Sequence, residues 1–193
     1  MHPMFTADLH FGHANIIRFC NRPFSSIEEM NEGLIDNWNA SVAPGQDIYC
    51  LGDFMFGNAR DAGKYLDRLN GRKHLVWGNH DSKKVQALPQ WASSQPYLEI
   101  AVNSRKIVLF HYSLRVWSAS RYGAIHLYGH SHGNLPGAGN STDVGVDCWN
   151  MRPVGLADIL ARIADKPRGA TTASGDAANK TQAKMIETIR QHG

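Results

Sequence analysis

Apolar residues recur at intervals of three and four positions in several stretches of the chain, which is the pattern of helices that bury one face. The first stretch predicts a helix over about 26–40, and Ser25 and Glu28 beside its start have the spacing of a capping box. A second helix is predicted over about 58–69. A last, short helix is predicted over about 155–163.

Short continuous runs of apolar residues lie between these helices, and they predict buried strands. In the first half of the chain strands and helices alternate, an order that favours parallel pairing. In the second half two runs flank Asn103-Ser104-Arg105, which predicts a hairpin and an antiparallel sheet. Strands in both halves predict an α/β (α+β) fold with two packed sheets. The predicted strands cover residues 5–8, 47–51, 74–77, 98–102, 106–110, 125–128 and 142–146.

The length of the chain fits one domain. Its 193 residues are enough for one hydrophobic core but too few for two full domains. After Pro167 the sequence turns to small and polar residues that have little to bury. We therefore predict one domain over residues 1–166 and a flexible or loosely helical tail over residues 167–193.

Net charge and hydropathy limit the kinds of macromolecule that the chain is expected to bind. The chain has 20 Lys and Arg against 17 Asp and Glu, a net charge of +3, which is far from the basic surface of a dedicated nucleic-acid-binding protein. Nucleic acid is therefore expected only as a substrate. No run approaches the ~18 apolar residues of a membrane span, and the first residues lack the segments of a signal peptide. We expect a cytoplasmic protein without a membrane partner, and self-association stays open.

The three cysteines do not form a metal or redox motif. Cys20, Cys50 and Cys148 lie far apart and lack Cys-x-x-Cys spacing. We expect all three to be reduced and mostly buried.

Ten histidines are the unusual feature of the composition, because several of them stand beside Asp, Asn and Gly where a predicted strand ends. Loops beyond the carboxyl ends of strands are where α/β proteins place ligands. Carboxylates and neutral imidazoles together favour divalent Mn, Fe, Zn or Ni, and the candidate ligands suffice for two ions that share one carboxylate. The segments are Asp8-Leu9-His10, Gly52-Asp53, Gly78-Asn79-His80-Asp81, His111 and Gly129-His130-Ser131-His132.

The order of these segments, D-x-H, G-D, G-N-H-D, H and G-H-x-H, resembles the calcineurin-like metallophosphoesterase family over residues 4 to about 165. Three further stretches, 5–17, 21–24 and 146–150, are similar to a group of small bacterial and phage phosphoesterases within that family. The resemblance implies a four-layer sandwich of two mixed β-sheets flanked by helices. That fold agrees with the two sheets predicted from the hydrophobic pattern.

The resemblance also implies a role for each residue of the segments. Two divalent transition-metal ions, manganese first and iron, nickel or zinc as alternatives, would share Asp53. His80 would protonate the leaving oxygen, and Asp81 would orient and stabilise His80. The implied activity is hydrolysis of a phosphodiester or phosphomonoester bond in a small substrate by a metal-bridging hydroxide. The implied ligands are Asp8, His10, Asp53 and His132 for the first ion and Asp53, Asn79, His111 and His130 for the second.

Several alternatives stay open from the sequence. His13 and Arg22 either contact the substrate phosphate or are structural, with His13 packing a loop and Arg22 pairing with a surface acid. Phe54 and Phe56 follow Asp53, where many family members carry an acidic residue, and we expect their rings to wall the site. A nuclease and a non-catalytic metal-binding scaffold are the alternative functions. Histidines outside the segments are expected to be structural: His2, His74, His126 and His192.

Overall fold

The structure, a computed structural model, describes residues 1–165, and the tail predicted over 167–193 lies outside the described residues. The strands are β1 (Met4–Thr6), β2 (Asp47–Cys50), β3 (Arg72–Val76), β4 (Ser93–Gln95), β5 (Tyr97–Val102), β6 (Arg105–Phe110), β7 (Ile125–Tyr128), β8 (Ser141–Asp143) and β9 (Val154–Gly155). The helices are α1 (Ala14–Phe19), α2 (Ile27–Ser41), α3 (Ala59–Arg68), α4 (Lys83–Gln86) and α5 (Leu156–Ala164).

Helix α2 begins one residue later than the capping prediction. Its N-cap is Ser26, whose side chain accepts the Glu29 N–H at 3.1 Å, and the Glu29 carboxylate accepts the Ser25 N–H at 2.7 Å. These bonds satisfy amide donors that the first turn would otherwise leave free. The capping box therefore exists, displaced by one position from the predicted Ser25 and Glu28. The buried face of α2 consists of Met30, Asn31, Leu34, Ile35 and Trp38.

The first sheet is built as the alternation of strands and helices predicts. Its order is β4-β3-β2-β1-β9, with β1 to β4 mutually parallel and β9 antiparallel to β1. Helices α1 to α4 contribute buried residues to a core cluster on one face of this sheet. Because the four strands run in the same direction, the loops after β1, β2 and β3 emerge at one edge.

The second sheet differs from the predicted antiparallel arrangement. Its order is β5-β6-β7-β8; β5 and β6 form the predicted hairpin, but β6, β7 and β8 pair in parallel. Asn103 and Ser104 make the hairpin turn with left-handed φ values of 51° and 61°. The antiparallel prediction is therefore wrong beyond the hairpin. Parallel pairing has a functional consequence, because it brings the loops after β6 and β7 to the same edge.

The two sheets pack face to face through a second core cluster, to which α5 adds Leu156 and Ile159. On the outer face of the second sheet, Trp117 from the loop after β6 lies 5.5 Å from the ring of His126. The predicted fold of two mixed sheets with flanking helices is confirmed. Among residues 1–165, no helix has the length and apolar character needed to cross a membrane.

Candidate metal centre

Loops from both sheets meet at one edge and bring the polar segments together. The backbone N–H groups of Asp8 and His10 each donate to the loop after β2 at 3.0 Å. Gly129 N–H donates to the carbonyl of His111 at 2.9 Å, which joins the loops after β6 and β7. The His130 N–H reaches across to the Asp8 carboxylate at 2.9 Å and connects the two sheets. The predicted site residues thus share one edge of the fold.

Six of the seven predicted ligands form two groups within this edge. In each group, one ligand atom per residue lies within 4.8 Å of the others. Asp8 and His10 are buried in the first group, whereas His130 of the second group is exposed to solvent. Each group therefore contains two buried residues, and the second group is exposed to solvent at His130. The first group is Asp8, His10 and His132, and the second is Asp53, His111 and His130.

Asp53 lies between the two groups. Its Oδ2 atom is 3.6 Å from Nε2 of His10 and 3.5 Å from Nε2 of His111. One carboxylate oxygen thus faces an imidazole nitrogen from each group, which is the position that a shared ligand requires. Asn79 joins the second group, since its Oδ1 lies 3.0 Å from Nε2 of His111.

The imidazoles are prepared to offer lone pairs to a cation. His111 Nδ1 lies 2.7 Å from the carbonyl of Leu51, and His132 Nδ1 lies 2.7 Å from Oδ2 of Asp147. A ring whose Nδ1–H donates to an oxygen keeps its Nε2 lone pair free, as in metal-ligating histidines. Both ring nitrogens of His10 are buried without a hydrogen-bond partner. An ion at the first group would satisfy one of them, so the residues fit a metal centre.

Five of the seven predicted ligands have left-handed backbones, with φ values between 47° and 66°. Such conformations are unfavourable for residues other than glycine, and they cluster at functional sites. They persist here because hydrogen bonds fix the loops, as when His80 N–H donates to Oδ1 of Asp53 at 2.9 Å. Gly129 permits the close approach of the strands, since a Cβ there would lie 2.7 Å from Oδ2 of Asp8. The strained residues are Asp8, His10, Asp53, His130 and His132.

At three of the predicted ligands, Asp8, His111 and His132, the surroundings raise the pKa and so favour the protonated form when no cation is bound. Burial raises the pKa of Asp8 to about 7. Burial alone would lower the pKa values of His111 and His132, but their interactions with Asp53 and Asp147 outweigh it and raise both. Ligands must lose these protons before they bind a metal ion. The cation and protons therefore compete for the same atoms near neutral pH.

We expect metal affinity to increase by more than roughly tenfold between pH 6 and pH 8, because Asp8, His111 and His132 must each deprotonate to bind. Calorimetric titration of metal-free protein with Mn²⁺, in two buffers of different ionisation enthalpy, measures both the affinity and the protons released. Equal affinity at the two pH values, with no proton release, would contradict the ligand assignment.

Arg22 pairs with an acid, as one of its two predicted roles requires, but that acid, Asp147, is largely buried instead of lying at the surface. Its guanidinium is buried and donates to both carboxylate oxygens of Asp147 at 2.8 Å, to the carbonyl of Asp8 at 2.6 Å and to that of Leu9 at 2.8 Å. The fifth N–H is directed at Sδ of Met30 at 3.5 Å, so all five donors of the guanidinium face groups of the protein itself. Asp147 in turn is hydrogen-bonded to His132, so Arg22 positions the first ligand group through Asp147.

The support from Asp147 gives a quantitative expectation. Asp147→Asn should weaken the first metal site by about 10- to 100-fold, since the neutral amide binds both Arg22 and the His132 ring less strongly. The second site should change much less. Stepwise Mn²⁺ titration separates the two sites, and Asp158→Asn, an exposed carboxylate on α5, is the control. Equal weakening of both sites would show a general disturbance of the fold.

Asp81 has a different position from the one predicted. Its buried carboxylate accepts backbone N–H bonds from Asp53 and Gly78 at 2.9 Å and from Phe54 at 3.0 Å. These bonds join the loops after β2 and β3 and fix the backbone of Asp53. Asp81 therefore positions Asp53 rather than the ring of His80. His80 itself is exposed, and its ring centroid lies 5.4 Å from that of His10.

The two phenylalanines after Asp53 differ in burial, and His13 packs against only the exposed one. Phe54 is fully buried in the core, so it does not wall the site. Phe56 is 49% exposed and stacks on His13 at 4.4 Å, so it does. His13 lies with its ring centre 5.4 Å from that of His10, beside the first ligand group.

Two residues of the site were missed by sequence reasoning. Asp143 holds the Gly-His-Ser-His loop through the Ser131 hydroxyl at 2.6 Å and the Gly133 N–H at 3.1 Å. A weak signal was present, because Asp143 ends β8 two residues before Gly145, and the other site aspartates also lie at or just after a strand with a glycine nearby. Tyr112 lies 4.7 Å from the ring of His130, and its hydroxyl is 3.4 Å from Oδ1 of Asn79. It had no comparable signal.

Comparison with known proteins decides the family. No protein-family model matches the chain. The uncharacterized protein MJ1445 of Methanocaldococcus jannaschii is 34% identical over 169 residues, which cover 83% of this chain and 89% of the archaeal protein. The chain belongs to the MJ1445 family. Among solved structures, this chain is similar to AQ665 of Aquifex aeolicus, a protein of unknown function. The two share 24% identity with a TM-score of 0.67, over 83% of this chain and 98% of that one.

The Aquifex structure shows that this member of the MJ1445 family shares its fold. A more distant match is YfcE, a phosphoesterase from E. coli, with 22% identity and a TM-score of 0.43 over 75% of this chain and 78% of that one. Neither MJ1445, an uncharacterized protein, nor AQ665, a protein of unknown function, indicates an activity for this chain.

Proposed function

We propose that the chain is a metal-dependent phosphoesterase that uses two divalent ions to hydrolyse a small phosphodiester or phosphomonoester. The observation that carries the proposal is the position of Asp53, with one carboxylate oxygen 3.6 Å from His10 and 3.5 Å from His111. A single buried carboxylate between two separate groups of imidazoles and acids fits a pair of ions better than one. The resemblance of the five ligand segments to calcineurin-like enzymes supports the same chemistry.

The donor atoms indicate the kind of ion. Both groups consist of imidazole nitrogens and carboxylate or amide oxygens, a set that suits Mn, Fe, Ni or Zn, and we propose manganese first. When bound, two such ions activate water as a nucleophile and neutralise charge on the phosphoryl oxygens. The carboxylates of Asp8 and Asp53 balance only part of the ionic charge, which leaves the site attractive to a phosphate anion.

We assign to His80 the donation of the proton that a departing alkoxide needs. Its backbone is held by Asp53 at 2.9 Å, while its ring is exposed beside the first ligand group. An exposed imidazole can take up a proton from solvent and pass it to the leaving oxygen. Asp81 keeps the loop in place through the three backbone bonds described above.

A panel of phosphoesters tests the proposal. Purified protein is assayed with Mn²⁺, Ni²⁺, Mg²⁺ or Zn²⁺ on bis-p-nitrophenyl phosphate, p-nitrophenyl phosphate, cyclic nucleotides and single-stranded DNA. We expect metal-dependent hydrolysis of one of the small esters that exceeds cleavage of DNA. Preference for DNA would favour the nuclease alternative. Absence of turnover with every metal, despite bound ions, would favour a scaffold.

A further inference from the structure

Two large aromatic side chains lie exposed beside the metal centre. Phe56 is 49% exposed and Phe19 is 65% exposed, although apolar rings of this size are usually buried. His13 lies between them, stacked on Phe56 at 4.4 Å and edge-on to Phe19 at 6.4 Å. We call Phe19, His13 and Phe56 the aromatic shelf. Adjacent exposed apolar groups at the rim of a polar site commonly mark a ligand surface.

The Phe56 side of the shelf has a fixed backbone. Phe56 N–H donates to the carbonyl of Phe11 at 2.9 Å, and Phe11 also pairs with Met55 in a short parallel bridge. Gly12 N–H donates to the Asn31 side chain at 3.2 Å. A Cβ at Gly12 would lie 3.1 Å from the Phe56 carbonyl, so the two loops are in close contact. The ring is therefore held beside the centre rather than carried on a free loop.

The shelf reaches the residues of the proposed reaction. The ring of Phe56 lies 5.6 Å from that of His80, and His80 lies 5.4 Å from His10. At the far end, the guanidinium of Arg18 is 5.4 Å from the ring centre of Phe19. A surface that runs from the first ligand group over two aromatic rings to a cation suits a ligand that has both a phosphate and a flat ring.

We propose that the aromatic shelf binds the base of a nucleoside phosphoester while its phosphate lies at the metal centre. This inference rests on the proposed function and specifies the substrate class. Aromatic rings bind bases by stacking, and a nearby arginine adds cation–π attraction. A second exposed ring, Tyr112, lies on the opposite side of the centre near His130, and it is the competing position for a base.

Matched ligands and variants test the shelf. Adenosine 5′-monophosphate and ribose 5-phosphate share the sugar and phosphate but differ in the base. Their binding to manganese-loaded protein is measured by calorimetry, and the ratio of kcat/KM is measured wherever they are hydrolysed. Phe56→Ala should weaken adenosine monophosphate by about 5- to 150-fold and leave ribose 5-phosphate nearly unchanged. Phe56→Tyr should restore the preference, and Tyr122→Ala, which removes a ring that is 92% exposed, is the control.

Each outcome decides between the two proposals. Equal binding of both ligands by the wild-type protein overturns the shelf, and so does a preference that Phe56→Ala preserves. Loss of the preference in Tyr112→Leu but not in Phe56→Ala assigns the base to the opposite side and also overturns it. If the protein hydrolyses no phosphoester, the proposed function fails even where the binding preference follows Phe56.

Discussion

Asp53→Asn is expected to lower phosphoester hydrolysis by on the order of 10³-fold or more and to remove both metal ions together. The carboxylate oxygen between His10 and His111 is the anionic atom nearest to both imidazoles. An amide carries no negative charge, so it cannot hold two cations close together. Metal analysis of the purified variant, alongside its rate on the best ester of the panel, measures the two losses.

The fold of this variant should be retained, because the backbone bonds of residue 53 to Asp81 and His10 do not involve its side chain. Circular dichroism and the melting temperature of the metal-free protein check this. Asp158→Asn on α5 is the control for removing a carboxylate far from the ligand groups. Two tightly held ions in an active Asp53→Asn protein would contradict the shared position of Asp53.

His80→Ala should keep both ions and slow the hydrolysis of an alkyl or nucleoside ester by about 10²- to 10⁴-fold. A p-nitrophenyl ester should be affected far less, because its leaving group departs without a proton. The variant retains the backbone N–H that donates to Asp53, and its exposed ring contributes little to stability. The bound metal and the rates of hydrolysis of the two esters are measured for the variant and the wild-type protein.

Two results would revise the role of His80. Equal losses on both esters would show that its ring stabilises the phosphoryl oxygens instead of the leaving group. Loss of metal would place His80 among the ligands. Neither outcome depends on misfolding, since the melting temperature of the metal-free protein reports that separately.

Local sequence patterns predicted the longer helices and strands, but they missed the short elements α1, α4, β4 and β9 and left exact positions undecided. In Ser25-Ser26-Ile27-Glu28-Glu29 both serines precede a glutamate by three residues, so spacing alone allows two capping boxes. Tertiary packing selects Ser26, which places the apolar stripe of α2 on the core. Helix periodicity is a property of neighbours along the chain, and it was therefore predictable.

Pairing between segments that are distant in the chain was harder to predict from the sequence. The hairpin before β6 suggested antiparallel pairing throughout the second sheet, yet β6, β7 and β8 are parallel. Likewise Arg22 follows a site motif in the chain, but its partner Asp147 is 125 residues away. The ligand segments were predictable because their combined order is specific. The tasks of Arg22 and Asp81 depend on which buried oxygen or N–H lies opposite, and only the folded chain determines that.

Each ligand group draws its side chains from both sheets. Asp8 and His10 follow β1 while His132 follows β7; in the other group Asp53 follows β2, whereas His111 and His130 follow strands of the second sheet. A bound ion would thus act as a cross-link between two halves that otherwise meet mainly through apolar contacts. Ion binding would then also stabilise the folded sandwich against unfolding. The gain is about 2.7 kcal/mol when the free ion concentration is one hundred times its Kd. Chelators would act on this protein as mild denaturants as well as inhibitors.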